Sequence, residues 1–102
     1  MDAGAGRGTE MTGKEAVFLA GIGLRVRVLR TARRLSQDRL AEKARVSRVT
    51  LGSIERAEHV AQLITYRRLA AVLELPMSEL ADDRRDKEIR RLRLVSDRDR
   101  TS

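Results

Sequence analysis

The sequence predicts an all-α fold, with five short helices in residues 22–81 and flexible extensions on both sides. Three observations carry this reading. Apolar residues recur at three- and four-residue spacings, the period of a helix buried along one face. No stretch alternates apolar and polar residues as a half-buried strand does. Ser36 and Ser47 each stand at the start of a periodic segment, where a hydroxyl can accept from an otherwise orphan backbone amide.

Composition sets the bounds. A chain of 102 residues holds one core and its tails, since a single domain normally needs about 50 to 200 residues. There is no cysteine, so disulfides and thiolate metal ligation are excluded, and one histidine, His59, rules out a multi-histidine metal site. No apolar run approaches the roughly 18 residues of a membrane span, and the N-terminus lacks the basic-then-apolar order of a secretory signal. A soluble, cytoplasmic protein is expected. The net charge of +7 favours a polyanionic partner. Residues 24–80 carry +6 of it, residues 81–102 carry +2 and residues 1–23 carry −1, so the excess sits on the folded part. The alternative is that an Arg-rich surface serves solubility alone.

Residues 1–21 read as a flexible leader. Four of the seven glycines lie between Met1 and Gly13, with little to bury. Thr12-Gly13-Lys14-Glu15 has capping-box spacing ahead of Ala16-Val17-Phe18-Leu19-Ala20, enough for a short helical turn. Gly21 and Gly23 argue against one helix running continuously from that turn into Leu24 and beyond. The first full helix is expected from Leu24 to Arg34, with an apolar stripe of Leu24, Val28 and Leu35 widened by Val26 and Leu29. Arg25, Arg27, Arg33 and Arg34 read as its solvated face. Arg30 lies at the stripe edge and points inward on this reading. An inward arginine needs a carboxylate, and Glu55 offers one.

The stretch from Leu35 to Ala57 organises the rest. Helices are expected over Gln37–Ala44 after Ser36 and over Arg48–Arg56 after Ser47, with Ala44-Arg45-Val46 leaving room for a turn. Leu40, Ala41, Val46, Leu51 and Ile54 fall on facing sides of the two helices, so the pair shares a small core and holds a rigid angle. This is a helix-turn-helix pattern, which presents its second helix to the DNA major groove. A loop over Glu58–Ala61 comes next, then a helix from Gln62 to Glu74 with Leu63, Tyr66, Leu69, Ala70 and Leu73 on one face. Leu75-Pro76 ends it, and Pro76 opens a last short helix, Met77 to Ala81, that returns Leu80 to the core. In the mixed-charge tail from Asp82 to Ser102, Ile89, Leu92 and Val95 lie three apart. Two readings stand: a dimerisation or partner-binding helix, and a frayed end.

Residues 22–81 resemble the phage-repressor-type helix-turn-helix family, also called Xre or Cro/CI. The likeness rests on Leu29-Arg30, Leu35-Ser36-Gln37, Leu40-Ala41-Glu42-Lys43, Val46-Ser47-Arg48, Thr50-Leu51, Ile54-Glu55-Arg56 and Leu69-Ala70. It implies a five-helix, lambda-repressor-like domain that binds double-stranded DNA. The resemblance gives Gln37 a DNA phosphate to bond and a bracing role on the recognition helix. It puts Arg48, Val49 and Ser53 at base edges and Ser47 and Thr50 near the DNA backbone. Arg56, at the end of the helix, joins this DNA-binding set, and Arg30 with Glu55 matches a buried ion pair of the family. Physically, arginine can donate twice to guanine O6 and N7, a pairing worth roughly 1–3 kcal/mol of discrimination. Valine offers only apolar contact, and serine is too short to select strongly. Arg48 is therefore expected to carry most direct readout, the alternative being a phosphate contact.

The chain departs from the family in four places. Ala57 replaces the glycine common after Glu-Arg, so the turn there must avoid a left-handed conformation or accept strain. Ala61 and Gln62 replace the usual proline and serine, and neither caps a helix well. His59 stands where a basic residue is frequent; it reads as an exposed residue without a role, the alternative being a phosphate contact. Gly52 inside the recognition helix costs about 1 kcal/mol relative to alanine, either for a close approach or as a tolerated residue.

Two functions are compatible with these features. The first is a sequence-specific transcriptional regulator, binding as a homodimer to a two-fold operator, because one small domain reads few bases alone. The second is an antitoxin that captures a partner protein through the C-terminal tail and binds its own operator; residues 63–77 are also similar to HipB-type antitoxins. No nucleophile–base pair or phosphate-cradling glycine loop points to an enzyme, and so small a core predicts no cofactor.

Overall fold

A computed structural model describes residues 10–82, and among these every regular element is a helix. They are α1 (Gly13–Ala32), α2 (Gln37–Ala44), α3 (Arg48–Glu55), α4 (Leu63–Leu73) and α5 (Met77–Leu80). The expected Ile89–Leu92–Val95 stripe lies outside the described residues.

The largest correction concerns α1. It runs unbroken through Gly21 and Gly23, so residues 13–21 are helical and belong to the fold rather than to a flexible leader. Its start is well made. The Thr12 hydroxyl accepts from Glu15 N–H at 3.1 Å, and the Glu15 carboxylate accepts from Thr12 N–H at 2.9 Å, closing a capping box. The two glycines do not break the helix because both are buried against the rest of the molecule. A β-carbon at Gly23 would overlap the Ile54 carbonyl oxygen and come within 2.9 Å of that of Glu55. The absent side chain thus lets α1 cross the end of α3 at backbone contact, which offsets the propensity cost of glycine. The buried stripe is also rotated from the expected one. Leu19, Ile22 and Val26 form its centre with Leu29 at the edge, whereas Val28 is 55% exposed.

The central pair has the expected caps. Ser36 Oγ accepts from Arg39 N–H at 3.1 Å, and Ser47 Oγ accepts from Thr50 N–H at 2.9 Å. α4 starts without a side-chain cap. Tyr66 supplies another restraint: its ring is buried, and its hydroxyl oxygen accepts from Ala61 N–H at 3.1 Å, pinning the loop that leads into α4. Leu63, expected on the apolar face of α4, is 74% exposed, because the face turns inward only from Tyr66 onward.

α1 packs against α3, α4 and α5, while α2 packs against α3 and α4. Leu40, Leu51, Leu69, Leu73, Leu80 and Val26 are completely buried where these faces meet. Each contributes about 1.5–3 kcal/mol relative to exposure. Arg25, expected on the solvated face, is instead half-buried: its Nε donates to the Leu80 carbonyl at 2.8 Å, tying α5 to the middle of α1. The ends of the first four helices share one device. Arg34, Arg45, Ala57 and Glu74 all have φ between 55° and 60°, the left-handed conformation that glycine usually supplies. Of the two courses open to Ala57, the chain takes the strained one.

Candidate nucleic-acid interface

Recognition by a helix needs two things: side chains aimed outward from its first turns, and a fixed orientation for its axis. The sequence provides both within α2 and α3. Ser47, Arg48 and Val49 are exposed at the start of α3, and Val49 is 77% exposed. A single exposed valine is ordinary on a protein surface, and here it gives the start of α3 an outward apolar side chain next to Arg48 in the chain.

The axis of α3 is fixed at its other end. Glu55 has a side chain only 4% exposed and receives three hydrogen bonds. Arg30 Nε donates to Oε2 at 2.7 Å, Arg30 Nη2 to Oε1 at 3.1 Å, and Gln37 Nε2 to Oε1 at 3.0 Å. Arg30 Nη1 also donates to the Leu35 carbonyl at 2.9 Å. One carboxylate therefore joins the end of α1, the start of α2 and the last residue of α3. A charge buried this far is costly unless its partners are complete, and here both oxygens are engaged by donors. Together with the backbone contact at Gly23, this cluster leaves α3 little freedom to tilt.

The remaining sequence-derived positions divide between different surroundings. Ser47 and Thr50 bond to each other, Ser47 Oγ donating to Thr50 Oγ1 at 2.7 Å, so the first hydroxyl is committed to the cap. Arg48 Nε and Asp38 Oδ1 of α2 form an ion pair at 2.9 Å, with both side chains well exposed. Thr50 and Ser53 are half-buried and, with Val49, line an open cleft of about 440 Å³ whose other wall is His59, Val60, Ala61, Gln62 and Thr65. Arg56 lies apart from this group. Its guanidinium folds back over Gly52, where a β-carbon would come within 3.0 Å of Nη1, and its Nε donates to Glu58 Oε2 at 2.9 Å. That hydrogen bond holds the Glu58 carboxyl below its ordinary value, and the same contact raises Arg56.

Two side chains escaped the sequence reading. Asp38 was not linked to Arg48, although an acidic residue in the first turn of a helix is a favourable partner for a nearby cation. The Tyr66 hydroxyl was not linked to Ala61, because a tyrosine on an apolar face reads only as core.

Residues 22–82 match the helix-turn-helix domain family, a span that runs from the buried part of α1 to the end of α5. No curated protein and no solved structure matches the chain. Capped helices, a tight left-handed turn at Arg45 and an outward second helix locked at Glu55 agree with the family match: the chain belongs to the helix-turn-helix family of DNA-binding domains.

Proposed function

We propose that this protein is a sequence-specific transcriptional regulator of the phage-repressor type, inserting α3 into the major groove and binding as a homodimer to a two-fold operator. The observation that carries the reading is the contrast between the two ends of α3. Glu55 is buried under three donors, while Arg48 and Val49 stand in solvent two turns away. A helix fixed at one end and bare at the other is built to read an edge. Arg48 supplies two donors for a guanine and Val49 an apolar face for a thymine methyl. Ser53 joins them at the base edges, Ser47 and Thr50 lie near the sugar–phosphate backbone on this reading, and Gln37 bonds a phosphate while its amide braces Glu55. Arg56, held by Glu58, reaches phosphate only by giving up that bond. Dimerisation follows from the small number of bases that one short helix spans. Such a regulator acts in the cytoplasm on the nucleoid, without enzymatic activity or a cofactor.

The antitoxin alternative rests on the segment after Asp82, which lies outside the described residues, and on the likeness of residues 63–77. The test is titration of the full chain against labelled duplexes of unrelated sequence at two salt concentrations, with complex mass read by sedimentation. The reading predicts one or a few duplexes bound at least a thousandfold more tightly than the rest, at two chains per site. Equal, salt-sensitive binding to all of them contradicts it.

A further inference from the structure

The geometry points to Asp38 as a specificity-determining residue that acts through Arg48, orienting its guanidinium for guanine and withholding it from phosphate. The inference rests on the DNA-reading role proposed for α3. Arg48 Nε and Asp38 Oδ1 are 2.9 Å apart, linking the first turn of α2 to the first residue of α3 across the turn. The side chains are 64% and 75% exposed. A pair so open to water adds little to stability, so the fold alone does not account for it.

Its position gives it another use. Arg48 is the first residue of α3, where the helix dipole repels a cation, while Asp38 in the first turn of α2 sits where the dipole favours an anion. Asp38 therefore holds the guanidinium at a place that the helix itself disfavours. Because the ion-pair contact is made at Nε, the end-on edge, Nη1 with Nη2, is left for a bidentate pair with guanine O6 and N7. An arginine on a long, free stem has many ways to meet a phosphate and few to meet one base. A carboxylate at its root removes many of the former, because it fixes the side chain and repels the phosphate.

The effects on affinity and on discrimination consequently have opposite signs, and a merely structural role does not give that pattern. The experiment uses the full chain and a random duplex library. Wild type defines the site, and Arg48→Ala defines which base pair Arg48 reads. For Asp38→Ala, preference at that base pair is expected to fall about tenfold. Affinity for unrelated duplex rises, and the salt slope steepens by up to about 0.9 as Arg48 gains a phosphate. Asp38→Asn, which keeps an acceptor oxygen, restores part of the preference. In an Arg48→Ala background, Asp38→Ala changes preference no further. The inference is overturned if Asp38→Ala leaves preference intact, or if its effect persists without Arg48. If the wild type enriches no site, the DNA-reading role itself fails. If it enriches a site in which Arg48→Ala moves no base preference, only the role of Asp38 fails.

Discussion

Gly23 lies in backbone contact with Ile54, so close that a β-carbon on the first would overlap the carbonyl oxygen of the second. The glycine of α3 is in a different situation. At Gly52 the nearest obstacle to a β-carbon is the tip of the Arg56 side chain, 3.0 Å away, at the end of a flexible stem rather than in a backbone. The two substitutions to alanine should therefore differ in sign. Gly23→Ala must push α1 off α3 and is expected to cost about 3 kcal/mol. Gly52→Ala should gain up to about 1 kcal/mol from helix propensity. Urea unfolding of both variants, read by circular dichroism, checks this; equal shifts would contradict the close crossing.

Glu55→Ala leaves the buried Arg30 guanidinium without its charge partner and Gln37 without its acceptor. Breaking a buried pair from one side costs about 3–5 kcal/mol. The side chain of Arg30 is 15% exposed, so some water reaches it and the lower end of that range applies. An unchanged unfolding midpoint would show that the cluster does not hold α3.

Ala57 occupies the left-handed conformation with φ at 55°. Glycine adopts this without a clash, but it also frees the unfolded chain. The first effect is the larger, so Ala57→Gly should stabilise the fold by about 0.5–1 kcal/mol. A loss of stability in the same unfolding experiment would contradict the assignment.

The Arg56–Glu58 bond gives a pH dependence with a definite sign. Hydrogen bonding from Arg56 lowers the folded-state value of Glu58, so the contact is complete above the ordinary carboxylate range and is lost as pH falls through the lowered value. Neutral pH leaves it unaffected. An NMR titration of the Glu58 carboxyl carbon should give a midpoint below that of a free glutamate, and Arg56→Gln should return it to the ordinary value.

Much of this was legible in the sequence where the cause is local. Ser36 and Ser47 announced two helix starts, and a buried-edge arginine in need of a carboxylate led from Arg30 to Glu55. Gly21 and Gly23 misled because a glycine scored within its own helix is only a cost. The benefit at Gly23 lies in α3, far along the chain, and emerges only when the two backbones meet. The same holds for Val26 and Val28, where the phase of the helix decides which valine is buried. Leu63 fits the periodicity of α4, but it stands in a first turn that no other described element covers. The Arg48–Asp38 pair depends on the angle across the turn, which spacing does not give.

The central claim is that α3 reads sequence from its outward end. Selection of bound sites from random duplex DNA at moderate salt tests it most directly. The account predicts an enriched inverted repeat in which one base pair per half-site, read by Arg48, loses its preference when Arg48 becomes alanine. Enrichment of nothing, with binding to every duplex that fades as salt is added, would contradict it.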